Sequence, residues 1–247
     1  MVGKLTKRLI IALTPSKLIK FYQSLAVQTS TVDVFLNDSY AQEGEDMVLS
    51  RFFGNKTNGF YVDVGAHHPK RFSNTYTFYK RGWKGINIDA MPGSMELFTK
   101  IRPRDTNLEM GVSSTEESAT YYIFNEPALN TFSQEEAQKK NGMGDYKIIE
   151  KIQIPSLKLS SLLEINLPPQ IKIDFMSIDV EGLDMDVLKS NDWKKYRPHI
   201  LVVEDIGFEL SPQALSTNTL YQFLVSNNYD LVGKTYNTLF FKEGKSK

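Results

Sequence analysis

The chain contains no cysteine among its 247 residues. Disulfide bridges, thiolate metal sites and cysteine nucleophiles are therefore excluded together. A reducing compartment is compatible with this composition, and we expect the protein in the cytoplasm.

The chain also has no net charge, because 29 lysines and arginines balance 29 aspartates and glutamates. It therefore has no global positive field that would gather nucleic acid through the release of counterions. We expect a small molecule or a glycan as partner, and no nucleic acid.

Long hydrophobic runs are missing as well. The N-terminal stretch MVGKLTKRLIIALTPSKLIKFYQSL is basic and has no acidic residue, but its apolar run Leu9–Leu13 is too short for a secretory signal or a membrane span. Residues 1–38 are predicted to form a basic, partly helical extension. Two interpretations stay open: a solvated segment, or a helix that lies on an anionic membrane surface or docks on a partner.

From residue 59 onward, short apolar runs alternate with amphipathic stretches. This alternation predicts βα units around a mostly parallel sheet, an α/β fold with helices on both faces, within one main domain at 39–247. Helices are expected in NTYTFYKRGW, PGSMELFTKI and LDMDVLKSNDW, and the chain should end with a helix and two strands joined by a tight turn. The predicted strands of the alternating part are Phe60–Val64, 85–90, Asn107–Val112, KIDFMSIDVEG and HILVVED.

The alternation fails between residues 113 and 158. This segment, called the insertion below, contains a β-type stretch, a polar glycine-containing excursion and another strand. Insertions of this length in a compact domain are usually mobile or functional, so we predict a substrate lid or an edge hairpin. Four of its aromatic residues are candidates for stacking on a sugar face: Tyr121, Tyr122, Phe124 and Phe132.

Ligands of open α/β sheets bind at the carboxyl ends of the strands. The first strand ends with Asp63, Gly65 and Ala66, but position 67 is His and position 70 is Lys, so the dinucleotide pattern G-x-G-x-x-G is absent. NAD and FAD are thus disfavoured. Asp89 ends the second strand about 25 residues after Gly65, where nucleotide-binding folds place an acid on ribose hydroxyls. Adenosine without a pyrophosphate fits both observations.

Several motifs occur together in a defined order: YAQEGEDMVLSRFF, GFYVDVGAHHP, SNTY, RGWKGINIDAMPGS, GVSS, SIDVEGLDMDVL and HILVVE. In order and spacing the chain resembles the FkbM-type S-adenosylmethionine-dependent methyltransferases, from about residue 39 to 242. The resemblance implies a class I methyltransferase fold, a Rossmann-like three-layer sandwich whose seven-stranded sheet has an antiparallel last strand. It also implies S-adenosylmethionine as cofactor.

The resemblance further implies the residues of the cofactor site. Asp63, Gly65 and Ala66 would line the methionine and ribose, Asp89 would take the ribose hydroxyls, and the motif at 111–114 would lie beside the adenine. For Gln42, Glu45 and Asp46, and for the Ser-Asn-Thr motif, a role in capping a helix N-terminus stays an open alternative. The complete predicted set is Gln42, Asp46, Asp63, Gly65, Ala66, His67, Ser73, Asn74, Thr75, Asp89, Ala90, Gly111, Val112, Ser113 and Asp179.

Two adjacent histidines follow the first strand, at the opening of the predicted pocket. A hydroxyl that attacks a methyl group must lose its proton, and histidine is suited to accept it near neutral pH. Adjacent loop residues usually point apart, so we favour one base, His68, over His67. The alternative is that both histidines only shape the turn before Pro69.

A second candidate centre is acidic. Asp179 and Glu181 follow the fourth predicted strand, and Glu204 and Asp205 end the fifth. Asp179, Glu181 and Glu204 are predicted to bind Mg²⁺ or Mn²⁺, with the metal acidifying a substrate hydroxyl, or one of these carboxylates acts as the base without a metal. The alternative is that Asp179 caps a helix and Glu204 contacts backbone or a lysine.

The resemblance implies O-methylation, mainly of sugars and of natural-product hydroxyls. We therefore expect an S-adenosylmethionine-dependent O-methyltransferase acting on a sugar hydroxyl, in a nucleotide sugar, a surface polysaccharide or a glycolipid. Two other interpretations stay open. One is methylation of another small molecule, such as a polyketide, a lipid headgroup or a phosphate-linked group. The other is a binding module that keeps the fold without the chemistry.

Overall fold

The computed structural model describes residues 16, 18, 20 and 37–244. The chain divides into two compact units, Met1–Asp38 and Ser39–Lys247, and the fold below is that of the second. Nearly all of the predicted N-terminal extension at 1–38 lies outside the described residues. Within the described part, no helix is long and apolar enough to cross a membrane.

The strands form one large and one small sheet. The large sheet has seven strands in the order β3-β2-β1-β7-β8-β10-β9, and the small one has three in the order β4-β6-β5. Five neighbouring strands of the large sheet are parallel, namely β3, β2, β1, β7 and β8. Strand β10 is antiparallel to both β8 and β9. The strands are β1 Phe60–Val64, β2 Lys84–Asp89, β3 Thr106–Glu109, β4 Gly111–Val112, β5 Ser118–Phe124, β6 Ile148–Leu157, β7 Phe175–Ile178, β8 Ile200–Glu204, β9 Tyr229–Lys234 and β10 Thr238–Glu243.

Helices connect the parallel strands, and the sheet is buried on both faces. In β8, Leu201 and Val203 belong to one apolar cluster, and Ile200 and Val202 to another. Because strand side chains alternate between faces, apolar residues at every position require cover on both sides. The α/β prediction and the antiparallel last strand are confirmed. The helices are α1 Glu45–Phe53, α2 Tyr76–Lys80, α3 Ser94–Ile101, α4 Gln134–Lys140, α5 Leu159–Asn166, α6 Asp184–Ser190, α7 Pro212–Thr217 and α8 Thr219–Ser226.

Several predicted elements have different bounds; the strand predicted in KIDFMSIDVEG, for example, covers only Phe175–Ile178. The expected strand Asn107–Val112 is interrupted: β3 ends at Glu109, and the Met110 amide donates to the Asp89 carbonyl at 2.9 Å. The following residues, Gly111–Val112, then pair with β6 of the small sheet. The helix predicted in NTYTFYKRGW is also shorter, because only Tyr76–Lys80 is helical.

The insertion contains an antiparallel pair, β5 and β6, with a 3₁₀ turn at Pro127–Leu129 and α4 between them. Alternation along β5 separates its aromatic residues. Tyr121 packs with Ile123 and Ile154, whereas Tyr122 and Phe124 pack with Ala137 of α4. The insertion therefore has two apolar faces, and only one of them turns toward the large sheet's ligand-binding edge.

Candidate active site

A cavity opens at the carboxyl ends of β1, β2 and β7, where an open α/β sheet binds its ligand. It encloses about 910 Å³, including the part open to solvent. The insertion and the segment before α1 complete its walls. Its lining includes Gln42, Gly65, His67, Phe72, Asp89, Ala90, Met91, Val112, Tyr121, Asn130, Thr131, Phe132, Asp179 and Glu181.

Gly65 brings the loop after β1 against the loop after β7. Its φ is 80°, and an added Cβ would lie 1.7 Å from the Asp179 carbonyl oxygen. The amides of Gly65 and Ala66 both donate to the Ile88 carbonyl, at 2.9 and 3.0 Å. Ala66 itself packs against Met95 and Phe98 of α3 rather than facing the cavity. Only glycine fits at position 65 without moving backbone.

Asp89 presents a carboxylate to the cavity at the end of β2. One of its oxygens accepts the His67 amide at 2.8 Å and the other accepts the Met91 amide at 2.8 Å. Burial raises the pKa of this carboxyl above its ordinary value. Each oxygen has a second lone pair, so the group can still accept hydrogen bonds from two ligand hydroxyls.

The two histidines have different surroundings. His67 lines the cavity with φ 51°, and its buried Nε2 has no hydrogen-bond partner among the described residues. Burial, with a smaller effect of Arg71, lowers its pKa, which favours the neutral ring. The Nδ1 of His68 accepts the amides of Lys70 and Arg71 at 3.0 and 2.9 Å, and His68 does not line the cavity. His68 thus has the contacts of a turn residue, and its role as a base stays a prediction.

Asp63 lies beneath the cavity rather than in its wall. Its carboxylate accepts the Thr75 hydroxyl at 2.6 Å, and burial raises its pKa to about 6. Thr75 in turn accepts from Arg102 at 2.7 Å. The acid at the end of β1 therefore supports the loop that forms the cavity and makes no direct contact with the cavity.

Arg102 is the centre of this support and was not identified from the sequence. Its guanidinium is fully buried and donates to the Pro69 carbonyl at 2.9 and 2.5 Å and to the Ser73 hydroxyl at 2.6 Å. It also reaches the Asn87 side-chain oxygen at 3.1 Å. The stretch KIRPR carries no signal of such burial.

The Ser-Asn-Thr motif belongs to the same support. The Ser73 hydroxyl accepts the amide of Tyr76, the first residue of α2, at 3.1 Å, but the N-cap position is Thr75, whose side chain makes no capping bond. The Asn74 amide group donates to the Ser177 hydroxyl on β7 at 3.0 Å. Ser73, Asn74 and Thr75 hold the loop, α2 and the sheet together, and none of them lines the cavity.

The predicted site residues before and within α1 also fall into two groups, one that lines the cavity and one that binds other parts of the protein. Gln42 lines the cavity. Asp46 is fully buried and accepts from Ser39, Tyr40 and Thr77, at 2.6, 2.9 and 2.6 Å. Glu45 accepts the Thr235 hydroxyl at 2.8 Å. The two acids thus bind neighbouring protein groups, whereas Gln42 is placed to meet a ligand.

Of the residues predicted to lie beside the adenine, some line the cavity and others do not. Ala90 and Val112 line the cavity, whereas Gly111 packs against Phe132 and Ser156. The Ser113 hydroxyl lies 3.0 Å from that of Ser156, outside the cavity lining.

Only two of the four predicted stacking aromatics reach the cavity. Tyr121 and Phe132 line it, and their ring centroids are 4.6 Å apart. Tyr122 and Phe124 lie on the other side of β5, packed against α4, because successive strand residues point to opposite faces.

The acidic residues at the ends of β7 and β8 do converge. Asp179, Glu181 and Glu204 each offer an oxygen within 4.8 Å of the others. Burial first, and then repulsion by neighbouring carboxylates, raises the pKa of Asp179 well above its ordinary value and that of Glu204 to about 8. Glu181 pairs with Lys140 of α4. Asp205 points elsewhere and accepts from Asn218 at 2.7 Å.

Two oxygens of this cluster, Asp179 Oδ1 and Glu204 Oε2, are buried without a hydrogen-bond partner among the described residues. A buried carboxylate oxygen is costly to leave unpaired, so it takes a proton or a cation. The donor set of three carboxylates fits Mg²⁺ or Mn²⁺, and it equally fits a pair of carboxyl groups that share one proton.

The sheet order, the antiparallel β10 and a cavity at the carboxyl ends of β1, β2 and β7 define a class I methyltransferase fold. The model of the methyltransferase FkbM domain matches residues 63–231. The chain therefore belongs to the FkbM methyltransferase family, which consists of S-adenosylmethionine-dependent enzymes.

Among solved structures, the chain is similar to a methyltransferase FkbM from Methylobacillus flagellatus KT, with 13% identity and a TM-score of 0.45, covering 75% of this chain. The chain spans 44% of the length of that protein.

Two further solved structures contain S-adenosylhomocysteine. One is the 1,6-didemethyltoxoflavin-N1-methyltransferase of Burkholderia thailandensis, with 11% identity, a TM-score of 0.39, and coverage of 94% of this chain and 91% of the other. The other is an O-methyltransferase of Bacillus cereus, with 10% identity, a TM-score of 0.37, and coverage of 93% and 92%. No curated protein matches the chain.

Proposed function

We propose that the protein transfers a methyl group from S-adenosylmethionine to a hydroxyl of a sugar. The observation that carries the cofactor assignment is the Asp89 carboxylate, which ends β2 and faces the same cavity as Gly65 and Asp179. An acid at this position accepts the two ribose hydroxyls of an adenosyl group.

The charge of the cavity supports this cofactor over a dinucleotide. Among the described residues, its lining includes Asp89, Asp179 and Glu181 and neither lysine nor arginine. A pyrophosphate would meet carboxylates without a matching cation, whereas the positive sulfonium of S-adenosylmethionine meets opposite charge. The pattern G-x-G-x-x-G is also absent after β1.

The chemistry is an in-line displacement. The acceptor oxygen attacks the methyl carbon, the carbon–sulfur bond breaks, S-adenosylhomocysteine leaves, and the hydroxyl proton passes to a base. The protein contributes positioning and proton removal. Asp179 and Glu204 are the candidates for the base that the geometry supports best, since both carry buried unpaired oxygens and raised pKa values.

A bound Mg²⁺ or Mn²⁺ is the alternative means of activating the hydroxyl. Asp179, Glu181 and Glu204 would hold it, and it would lower the pKa of a bound hydroxyl group. The residues fit both arrangements, and the activity measured with a chelator distinguishes them.

A sugar acceptor is expected beside the insertion, whose Tyr121 and Phe132 rings line the cavity. Aromatic faces bind the apolar faces of sugar rings, and loops such as this insertion commonly determine which acceptor a shared fold accepts. We place the reaction in the cytoplasm. Methylation of a different small molecule is the second candidate for the same site.

Calorimetric titration with S-adenosylhomocysteine tests the cofactor assignment. We expect micromolar binding that weakens at least about tenfold in Asp89→Ala, because the ribose hydroxyls lose a charged acceptor. Asp230→Ala, which removes an exposed acid on β9, is the matched control and should bind as the wild type does. NAD should not bind. Absence of S-adenosylhomocysteine binding, with or without Mg²⁺, would overturn the proposal.

A further inference from the structure

A second cleft lies beside the acidic cluster, between α4 of the insertion and the segment that follows β8. It encloses about 690 Å³, including the part open to solvent. Glu136 and Lys139 of α4 line it, together with Asp184 of α6, Glu204 at the end of β8 and Asp205 directly after it. Thr219 and Leu220 of α8 complete it.

Glu204 connects this second cleft to the cofactor cavity. It lines the second cleft, and its carboxylate lies within 4.8 Å of the Asp179 and Glu181 oxygens, which belong to the first. A hydroxyl bound in the second cleft beside Glu204 would therefore sit next to the residues that face the cofactor. This is the arrangement that a two-substrate transfer requires.

The lining of the cleft contains almost no positive charge. Lys139 is the one basic residue that the described part of the chain contributes to its lining, and its Nζ lies 3.4 Å from Glu136. Lys140, on the same helix, is paired with Glu181. The other ionisable residues of the described lining are the acids Glu136, Asp184, Glu204 and Asp205. Protonation would make any of these neutral, never positive.

Side chains of the protein also bind backbone amides beside this cleft. The Asp184 carboxylate accepts the amides of Val180 and Gly182, in the loop before α6, at 3.2 and 3.3 Å. The Asn218 side chain, before α8, accepts the Tyr221 amide at 2.7 Å. Backbone amides at helix starts are a common phosphate site, and at α8 a side chain of the protein already binds one of them.

We propose that this second cleft binds the acceptor and that the acceptor is an uncharged polyhydroxyl compound, a glycoside without phosphate, rather than a nucleoside diphosphate sugar. Carboxylates accept hydrogen bonds from hydroxyls, and Leu220, Ile206 and Met185 offer apolar contact to the carbon face of a sugar. A diphosphate would find as its one cation in the described lining Lys139, which already lies beside Glu136. The inference rests on the proposed function, since it assigns the acceptor of that reaction.

The test uses matched acceptors with the full-length protein and S-adenosylmethionine, in the presence of a chelator so that no divalent ion can bridge a diphosphate. Methyl glycosides are compared with the uridine-diphosphate derivatives of the same sugars, by transfer of a labelled methyl group and by ligand-observed NMR with S-adenosylhomocysteine bound. We expect binding and transfer with methyl glycosides, and much weaker binding without detectable transfer for the diphosphates.

A charge reversal gives the second arm of the test. Glu136→Lys should strengthen binding of the diphosphate series by about tenfold, an effect that declines at high salt. Glu135→Lys is the matched control, because Glu135 lies in the same first turn of α4 but is exposed and outside the cleft. It should change binding less than about twofold.

The outcomes separate the two proposals. If S-adenosylhomocysteine fails to bind, the proposed function fails and this inference fails with it. If it binds, but the wild type accepts the diphosphates in preference, binds neither series, or responds equally to Glu136→Lys and Glu135→Lys, the acceptor assignment alone is overturned.

Discussion

The α-carbon of Gly65 is so close to the Asp179 carbonyl that an added Cβ would lie 1.7 Å from that oxygen. The contact joins the loops after β1 and β7, which both contribute to the cofactor cavity. Because the approach is between backbone atoms, no change of rotamer can relieve the steric overlap that a larger side chain would cause.

Gly65→Ala is therefore expected to cost about 3–5 kcal/mol of unfolding free energy, from the positive φ and the overlap together. Gly93→Ala is the matched control: its φ is 78°, but nothing lies within 4 Å of the position that its added methyl group would take. It should cost only about 1–2 kcal/mol. Urea denaturation measures both, and equal losses would show that the contact with Asp179 has no energetic weight.

Arg102 provides the second prediction. Its buried guanidinium holds Pro69, Ser73, Thr75 and Asn87. Arg102→Met leaves these acceptors without their donor, and we expect a loss of about 3–5 kcal/mol in unfolding free energy. Arg104→Met, which removes an exposed guanidinium bonded to the Tyr79 carbonyl at 2.6 Å, should cost less than about 1 kcal/mol. Similar losses in the two variants would contradict the assigned role.

Asp63 makes the stability depend on pH in a predictable direction. Burial raises its pKa from 3.8 to about 6 in the folded protein. Between these values the folded state keeps a proton that the unfolded state has released, so stability from this group is complete below pH 3.8 and is lost as the pH rises through 6.

Asp63→Asn keeps an oxygen acceptor for Thr75 and does not titrate. The unfolding free energy of this variant minus that of the wild type should therefore increase by about 2 kcal/mol from about pH 4 to about pH 7 and stay constant above. Asp230→Asn should show no such trend. Chemical denaturation at several pH values decides the question, and a constant difference would mean that the pKa of Asp63 is not raised.

The main features of the fold could be predicted because apolar runs buried on both faces of a parallel sheet have a clear pattern. The strand predicted at Phe60–Val64 has those bounds in the structure. The strand predicted at Asn107–Val112 does not, because the sequence does not reveal that Gly111 leaves the large sheet to pair with β6. Pairing partners are tertiary information, which a single strand does not contain.

The site could be predicted only in part for a similar reason. Motif positions identified Gly65, Asp89 and Asp179, which line the cavity. The direction of each side chain in a loop depends on backbone angles, so His67, with φ 51°, faces the cavity, whereas His68 binds its own turn. Arg102 was missed because its role depends on contacts with residues up to 33 positions away.

Glu204 is the residue whose replacement best separates the chemical alternatives. If an ionised carboxylate removes the acceptor proton, Glu204→Gln should lower kcat by about 10²–10⁴-fold and leave S-adenosylhomocysteine affinity within about threefold. Glu209→Gln, which replaces an exposed glutamate of the following loop, is the control and should leave both quantities unchanged.

The pH dependence follows from the direction of the pKa shift of Glu204. Burial and the neighbouring Glu181 and Asp184 raise it to about 8, so the group becomes a competent base only as the pH approaches that value. The rate of methyl transfer to a neutral glycoside should therefore rise up to about pH 8 and then level off, with chelator present throughout. Loss of activity in chelator, restored by Mg²⁺ or Mn²⁺, would instead assign the three carboxylates to a metal. A rate that is insensitive to pH, to chelator and to Glu204→Gln would remove this cluster from the reaction.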